Sequence, residues 1–170
     1  MIQADKKYPA KLLLFGEHTV LKGSSSLAVP YNRYHMLWIK KTAGHPSWLS
    51  DYCSYLSNHC STFLNIPLLE SWIDSYTIST DIPIGYGLGS SGALTAAIYD
   101  IAHHSNSKDE STSNLTELQR MLGLMESFFH GKSSGFDPLI SYLQMPILRK
   151  EGELDILLPC LLYTSPSPRD

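Results

Sequence analysis

Apolar residues in this chain cluster into short continuous runs and one clear helical stripe. Tyr8-Pro-Ala-Lys-Leu-Leu-Leu-Phe-Gly16 is apolar except for Lys11, and its pattern predicts a buried strand ending at Gly16. A polar turn, Glu17-His18-Thr19-Val20-Leu21-Lys22-Gly23, follows. Ser26–Pro30 and Tyr34–Ile39 then read as two further strands, so the chain opens as a β-meander. Residues 45–74 predict a helical stretch with a loop, with Trp48, Trp72 and the nearby tyrosines serving as core and cover. The β-rich Tyr76–Thr80 leads into a glycine-rich segment, and a helix runs from about Ser91 to His103-His104. That histidine pair fits a helix C-terminus, where cationic side chains are favoured, better than a metal site.

Ser105–Ser113 is a polar loop. Beyond it, Leu115, Leu118, Leu122, Met125 and Phe129 share one face of a helix that begins near Asn114, with Glu117 in capping-box spacing. Glu126 borders that apolar face, and a carboxylate there calls for a cation or a solvated edge. Two glycines and two serines in His130-Gly-Lys-Ser-Ser-Gly-Phe-Asp137-Pro138 end the helix, and Pro138 is placed to begin another at its first position.

The segment Asp81-Ile-Pro-Ile-Gly-Tyr-Gly-Leu-Gly-Ser-Ser91-Gly-Ala organises the rest. Strand, glycine loop and helix start in succession aim backbone N–H groups at one point, and the helix dipole adds positive potential there. Glycines let an anion approach the backbone, and Ser90 and Ser91 can add hydroxyl contacts to phosphate or Mg²⁺. No G-x-x-x-x-G-K-[ST] is present, and counted from Gly85, Ser90 stands where G-x-G-x-x-G needs its third glycine. Both common nucleotide loops are thereby disfavoured, while an ordinary glycine turn stays open.

At 170 residues the chain can build one core. A net charge of −3 offers nothing to nucleic acid or an anionic membrane, and no apolar run spans a bilayer. Three cysteines, Cys53, Cys60 and Cys160, lack close pairing and read as reduced thiols of a cytoplasmic protein, and the N-terminus lacks a signal-peptide core.

Three stretches together resemble the GHMP small-molecule kinases: Pro9–His18, Pro83–Ser91 and Glu126–Asp137. Within that family the motifs are most similar to those of the mevalonate kinase branch, whose third motif is His-Gly-x-Pro-Ser-Gly-x-Asp; Ser133 stands here in place of the proline. The resemblance implies an α+β fold like the second domain of ribosomal protein S5, over residues 1–158. It also implies a C-terminal ferredoxin-like domain that this sequence lacks. Cys160–Asp170 resembles no family element; residues 159–170 read as translated adaptor sequence on an N-terminal half.

The implied activity is transfer of the γ-phosphoryl group of ATP to an alcohol, with ATP and Mg²⁺ as cofactors and mevalonate as substrate; phosphomevalonate or a sugar are the alternatives. The implied roles are Asp137 and Lys11 as catalytic groups, and Pro83, Gly85, Gly87, Leu88, Gly89, Ser90 and Ser91 around the ATP phosphates. Ser91 and Glu126 would hold the metal, and Glu17, His18 and Ser134 would face the substrate. A homodimer of the longer protein is compatible with this picture. The competing expectation is a naturally short, non-catalytic nucleotide-binding or interaction domain.

Overall fold

The computed structural model describes residues 5–16, 25–42, 44, 46–104, 115–150 and 153–157. The turn carrying Glu17 and His18, the polar loop with Asn114, and the tail with Cys160 lie outside the described residues.

Strand β1 (Lys7–Phe15) pairs antiparallel with β2 (Ser26–Lys40). The two strands expected over 26–39 are one, which corrects the three-stranded meander. The register explains why the sequence suggests a break: Pro9 pairs with His35, but Ala10 pairs with Tyr31. Three residues of β2 have no opposite number there and form a bulge around the exposed Asn32 and Arg33. On either side of it β2 has different neighbours. Met36–Lys40 pairs with β3 (Tyr76–Thr80), and Ser26–Ala28 with β4 (Ile147–Lys150), which in turn pairs with β5 (Glu153–Ile156). Every pairing is antiparallel.

The helices are α1 (Ser47–Cys60), α2 (Ile66–Ser75), α3 (Ser90–Ala102), α4 (Leu115–His130) and α5 (Phe136–Leu143). Asn65 starts α2 by accepting the Leu68 N–H at 3.0 Å. The C-terminus of α3 is capped at His103, whose ring Nδ1 lies 3.1 Å from the Tyr99 carbonyl, as the sequence suggested. Glu117 spends both carboxylate oxygens on Arg120, at 2.7 and 2.8 Å.

Helix α3 is the hub of the core: Ala93, Ala96, Ala97 and Ala102 are fully enclosed, and their small side chains let neighbours approach closely. The Trp38 indole N–H on β2 donates to the Ala97 carbonyl at 3.2 Å. Tyr52 on α1 stacks on Phe128 of α4 and places its hydroxyl 3.2 Å from Thr95 on α3. Ser141 of α5 donates to the Pro9 carbonyl at 2.8 Å, tying that helix to β1. Each fully buried leucine or isoleucine in this core, such as Leu56, Ile98 or Leu139, contributes roughly 1.5–3 kcal/mol.

The far end of β1 departs from expectation: Leu14 and Phe15 are 52% and 48% exposed. Burial of that strand is confined to its first half, where Tyr8 and Ala10 enter the core. Cys53 and Cys60 are free, and burial pushes both thiols up to about 11, with Glu70 adding to the effect at Cys53.

Candidate functional site

The glycine loop joins β3 to α3. Gly85, Gly87 and Gly89 all adopt positive φ, at 84°, 70° and 72°. Gly89 is the N-cap of α3 in the left-handed region, where a side chain would be strained and its Cβ would sit 2.8 Å from Lys11 Cγ. The Lys11 N–H of β1 donates to the Leu88 carbonyl at 2.9 Å and fixes the loop against the sheet.

A cavity of about 430 Å³ opens on this loop. Lys11, Pro83, Gly85, Gly87, Leu88, Gly89, Ser90, Ser91 and Asp137 all line it, so the strand, the loop and the α4–α5 region meet in one place. Tyr86 and His130, to which the sequence motifs assign no role, line it too. The only hint for His130 was its position at the head of the segment that ends in Asp137. Counted from Gly87, the run Gly87, Gly89, Gly92 does match G-x-G-x-x-G, but the strand before it pairs antiparallel with β2, so there is no parallel βαβ unit to make it a dinucleotide site.

Asp137 occupies the second position of α5, and its Oδ1 lies 3.0 Å from Lys11 Nζ. Pro138 is therefore the third helical residue and not the first, which the free N–H groups of a first turn still tolerate. Gly92 makes this approach feasible: a Cβ there would lie 2.9 Å from both the Asp137 carbonyl carbon and the Pro138 nitrogen.

Glu126 is buried, at 4% exposure, rather than at the edge of its face. Ser91 donates to its Oε1 at 3.0 Å, and Ser133 donates to its Oε2. His130 Nε2 lies 3.0 Å from the same Ser91 Oγ. Burial raises the Glu126 carboxyl above its ordinary range; the two serine hydroxyls and His130 pull the other way, and Asp137 adds to the rise. No Lys or Arg pairs with Glu126 among the described residues.

Such a site suits Mg²⁺. That ion takes hard oxygen ligands, uses one or two from protein, and fills its shell with phosphate oxygens and water. Ser91 Oγ and Glu126 supply that donor set, and among the described residues no group of three or more His, Cys, Asp or Glu could cage a metal outright. Ser134 does not line the cavity. Its hydroxyl oxygen accepts the Phe136 N–H at 3.4 Å, and its carbonyl accepts from Gln119.

A second, apolar cavity of about 300 Å³ shares Ser90 and Ser91 as a common wall. Its lining includes Met36, Trp48, Ile78, Leu94 and Phe129, so Trp48 does more than cover the core. A polar groove of about 530 Å³ between α1 and α2, past Cys53 and Glu70, shares no residue with the glycine loop. No helix among the described residues is long and apolar enough to cross a membrane.

Known proteins resemble this chain in sequence and fold. The family described as the GHMP kinases N terminal domain matches residues 56–144. The mevalonate kinase of Pyrococcus abyssi is 29% identical over 177 residues, covering 88% of this chain and 52% of that protein. The mevalonate kinase of Archaeoglobus fulgidus is 28% identical over 144 residues, covering 78% and 48%. Among solved structures, mevalonate kinase from Methanococcus jannaschii superposes with a TM-score of 0.56 at 18% identity, covering 90% of this chain and 55% of that one. The enzyme from methicillin-resistant Staphylococcus aureus MRSA252 gives 0.52 at 24% identity, covering 89% and 54%. These likenesses show a shared α+β fold, and the chain spans about half the length of the relatives it matches. The chain belongs to the GHMP kinases and carries their N-terminal domain.

Proposed function

We propose that this chain is the nucleotide-binding half of an ATP- and Mg²⁺-dependent kinase that phosphorylates an alcohol hydroxyl, with mevalonate, named in its relatives, as the first substrate to try. The observation that carries the reading is the Lys11–Asp137 pair at 3.0 Å on the wall of the glycine-loop cavity.

Phosphoryl transfer depends on positioning and charge neutralisation more than on covalent chemistry. In this reading the amides of Gly85–Ser91 and the N-terminus of α3 receive the phosphates. The apolar cavity beyond Ser90 and Ser91 is suited to the nucleobase. The alcohol oxygen attacks the γ-phosphorus, the bond from that phosphorus to the β-bridging oxygen breaks, and ADP departs. The hydroxyl proton passes to the Asp137 carboxylate, whose Oδ1 lies 3.0 Å from the Lys11 ammonium. The same ammonium stabilises negative charge developing on the attacking oxygen. Ser91 and Glu126 would hold Mg²⁺, which would supply positive charge against the phosphates.

The test is ATP consumption by the complete protein against a panel of mevalonate, phosphomevalonate and simple sugars. Turnover with one of these alcohols supports the reading. Tight Mg·ATP binding without turnover on any alcohol would favour a non-catalytic nucleotide-binding domain instead.

A further inference from the structure

Ser133 makes more hydrogen bonds than any other residue of the α4–α5 connection. Its hydroxyl donates to Glu126 Oε2 and accepts the Gly135 N–H at 3.0 Å. Its own N–H donates to Ser127 Oγ at 3.1 Å, and Ser127 donates onward to the Gly123 carbonyl at 2.7 Å. One residue thus links the body of α4, the buried carboxylate and Gly135, the N-cap of α5, two residues before Asp137.

The geometry has a consequence for the carboxylate. Glu126 has two oxygens and two hydroxyl donors, Ser91 on Oε1 and Ser133 on Oε2. With Oε2 held by a residue itself tied to the backbone at both ends, the carboxylate plane is fixed and Oε1 is kept facing Ser91. Groups that orient a metal-binding carboxylate in this way set its affinity without touching the ion.

We propose that Ser133 is a positioning residue for the divalent cation, presenting Glu126 to the ion and coupling that presentation to the start of α5. The inference rests on the assignment of Ser91 and Glu126 above.

The test measures Mn²⁺ by electron paramagnetic resonance, with a non-hydrolysable ATP analogue, on the 170-residue chain. Nucleotide binding without metal is measured alongside. Ser133→Ala should weaken Mn²⁺ retention roughly tenfold while metal-free nucleotide binding shifts less than about twofold. Ser133→Thr, which keeps the hydroxyl, should restore Mn²⁺ affinity. If the alanine variant fails to fold, Ser133→Cys, nearly isosteric and a weak donor, is expected to show the same selective loss. Unchanged Mn²⁺ affinity in the alanine or cysteine variant overturns the proposal, as does an equal loss of metal and metal-free nucleotide. A wild-type chain that binds the nucleotide but retains no Mn²⁺ would instead overturn the Ser91–Glu126 assignment, and this inference with it.

Discussion

Lys11 Nζ stands 3.0 Å from Asp137 Oδ1, with the lysine side chain 12% and the aspartate 31% exposed. One residue comes from an apolar strand and the other from the first turn of α5, and the Ser141–Pro9 hydrogen bond ties that helix to the same strand. With both side chains only partly exposed, the pair places a cation and a carboxylate on one cavity wall.

Asp137→Asn should therefore separate function from folding. Removing the proton acceptor should lower turnover of the alcohol on the order of 10²–10⁴-fold. The melting temperature should change little, because asparagine keeps the shape. Steady-state kinetics and thermal melting of the same preparations check both halves, and undiminished turnover would remove Asp137 from its role.

Glu126 makes the metal-free protein sensitive to pH. Burial raises its carboxyl above the ordinary value of 4.5, so between 4.5 and the raised value the folded chain holds a proton that the unfolded chain has released. Stability from this group is complete below 4.5 and lost as pH rises through the raised value. Glu126→Gln does not titrate and should melt above wild type at pH 7, with the gap closing on acidification below 4.5. Melting curves across pH without metal decide it; a variant less stable than wild type at neutral pH would contradict the sign.

Gly92→Ala should act through distance alone. Its methyl would press on the Asp137–Pro138 peptide at 2.9 Å, so α3 and α5 must part. A loss of about 1–3 kcal/mol is expected for such overpacking, read as a lower urea midpoint. A midpoint equal to wild type would show that the two helices are not held at this spacing.

Trp48 should report nucleotide binding. It lines the apolar cavity that shares Ser90 and Ser91 with the glycine loop, whereas Trp38 and Trp72 pack edge to face in the core. An adenine nucleotide should change the tryptophan emission, and Trp48→Phe should abolish that change. A signal that survives in Trp48→Phe would place the base elsewhere.

Local chemistry made much of this molecule readable from its residues. The glycine run followed by alanines specifies a loop and a closely packed helix, and the spacing of Leu118, Leu122 and Met125 specifies the buried face of α4. The stop between Pro30 and Tyr34 misled, because a bulge of three residues looks in sequence like the end of one strand and the start of the next. Apolarity alone likewise could not tell that Leu14 and Phe15 stay exposed, since that depends on what is packed above them. Of the proposed site, Lys11, the glycine loop, Ser91, Glu126 and Asp137 can be named from the sequence motifs. The Ser133 hydroxyl on Glu126 and the place of His130 beside Ser91 are not, because neither contact leaves a periodic trace in the sequence.

The loop from Gly85 to Ser91 is proposed to receive the phosphates of Mg·ATP. Amide chemical-shift mapping of the isotopically labelled chain during a titration with Mg·ATP addresses it residue by residue. The largest shifts are expected at Gly85, Gly87, Gly89, Ser90 and Ser91, with smaller ones at Lys11 and His130 on the same cavity wall. Saturating Mg·ATP that leaves these amides unmoved, or moves only the groove between α1 and α2, would contradict it.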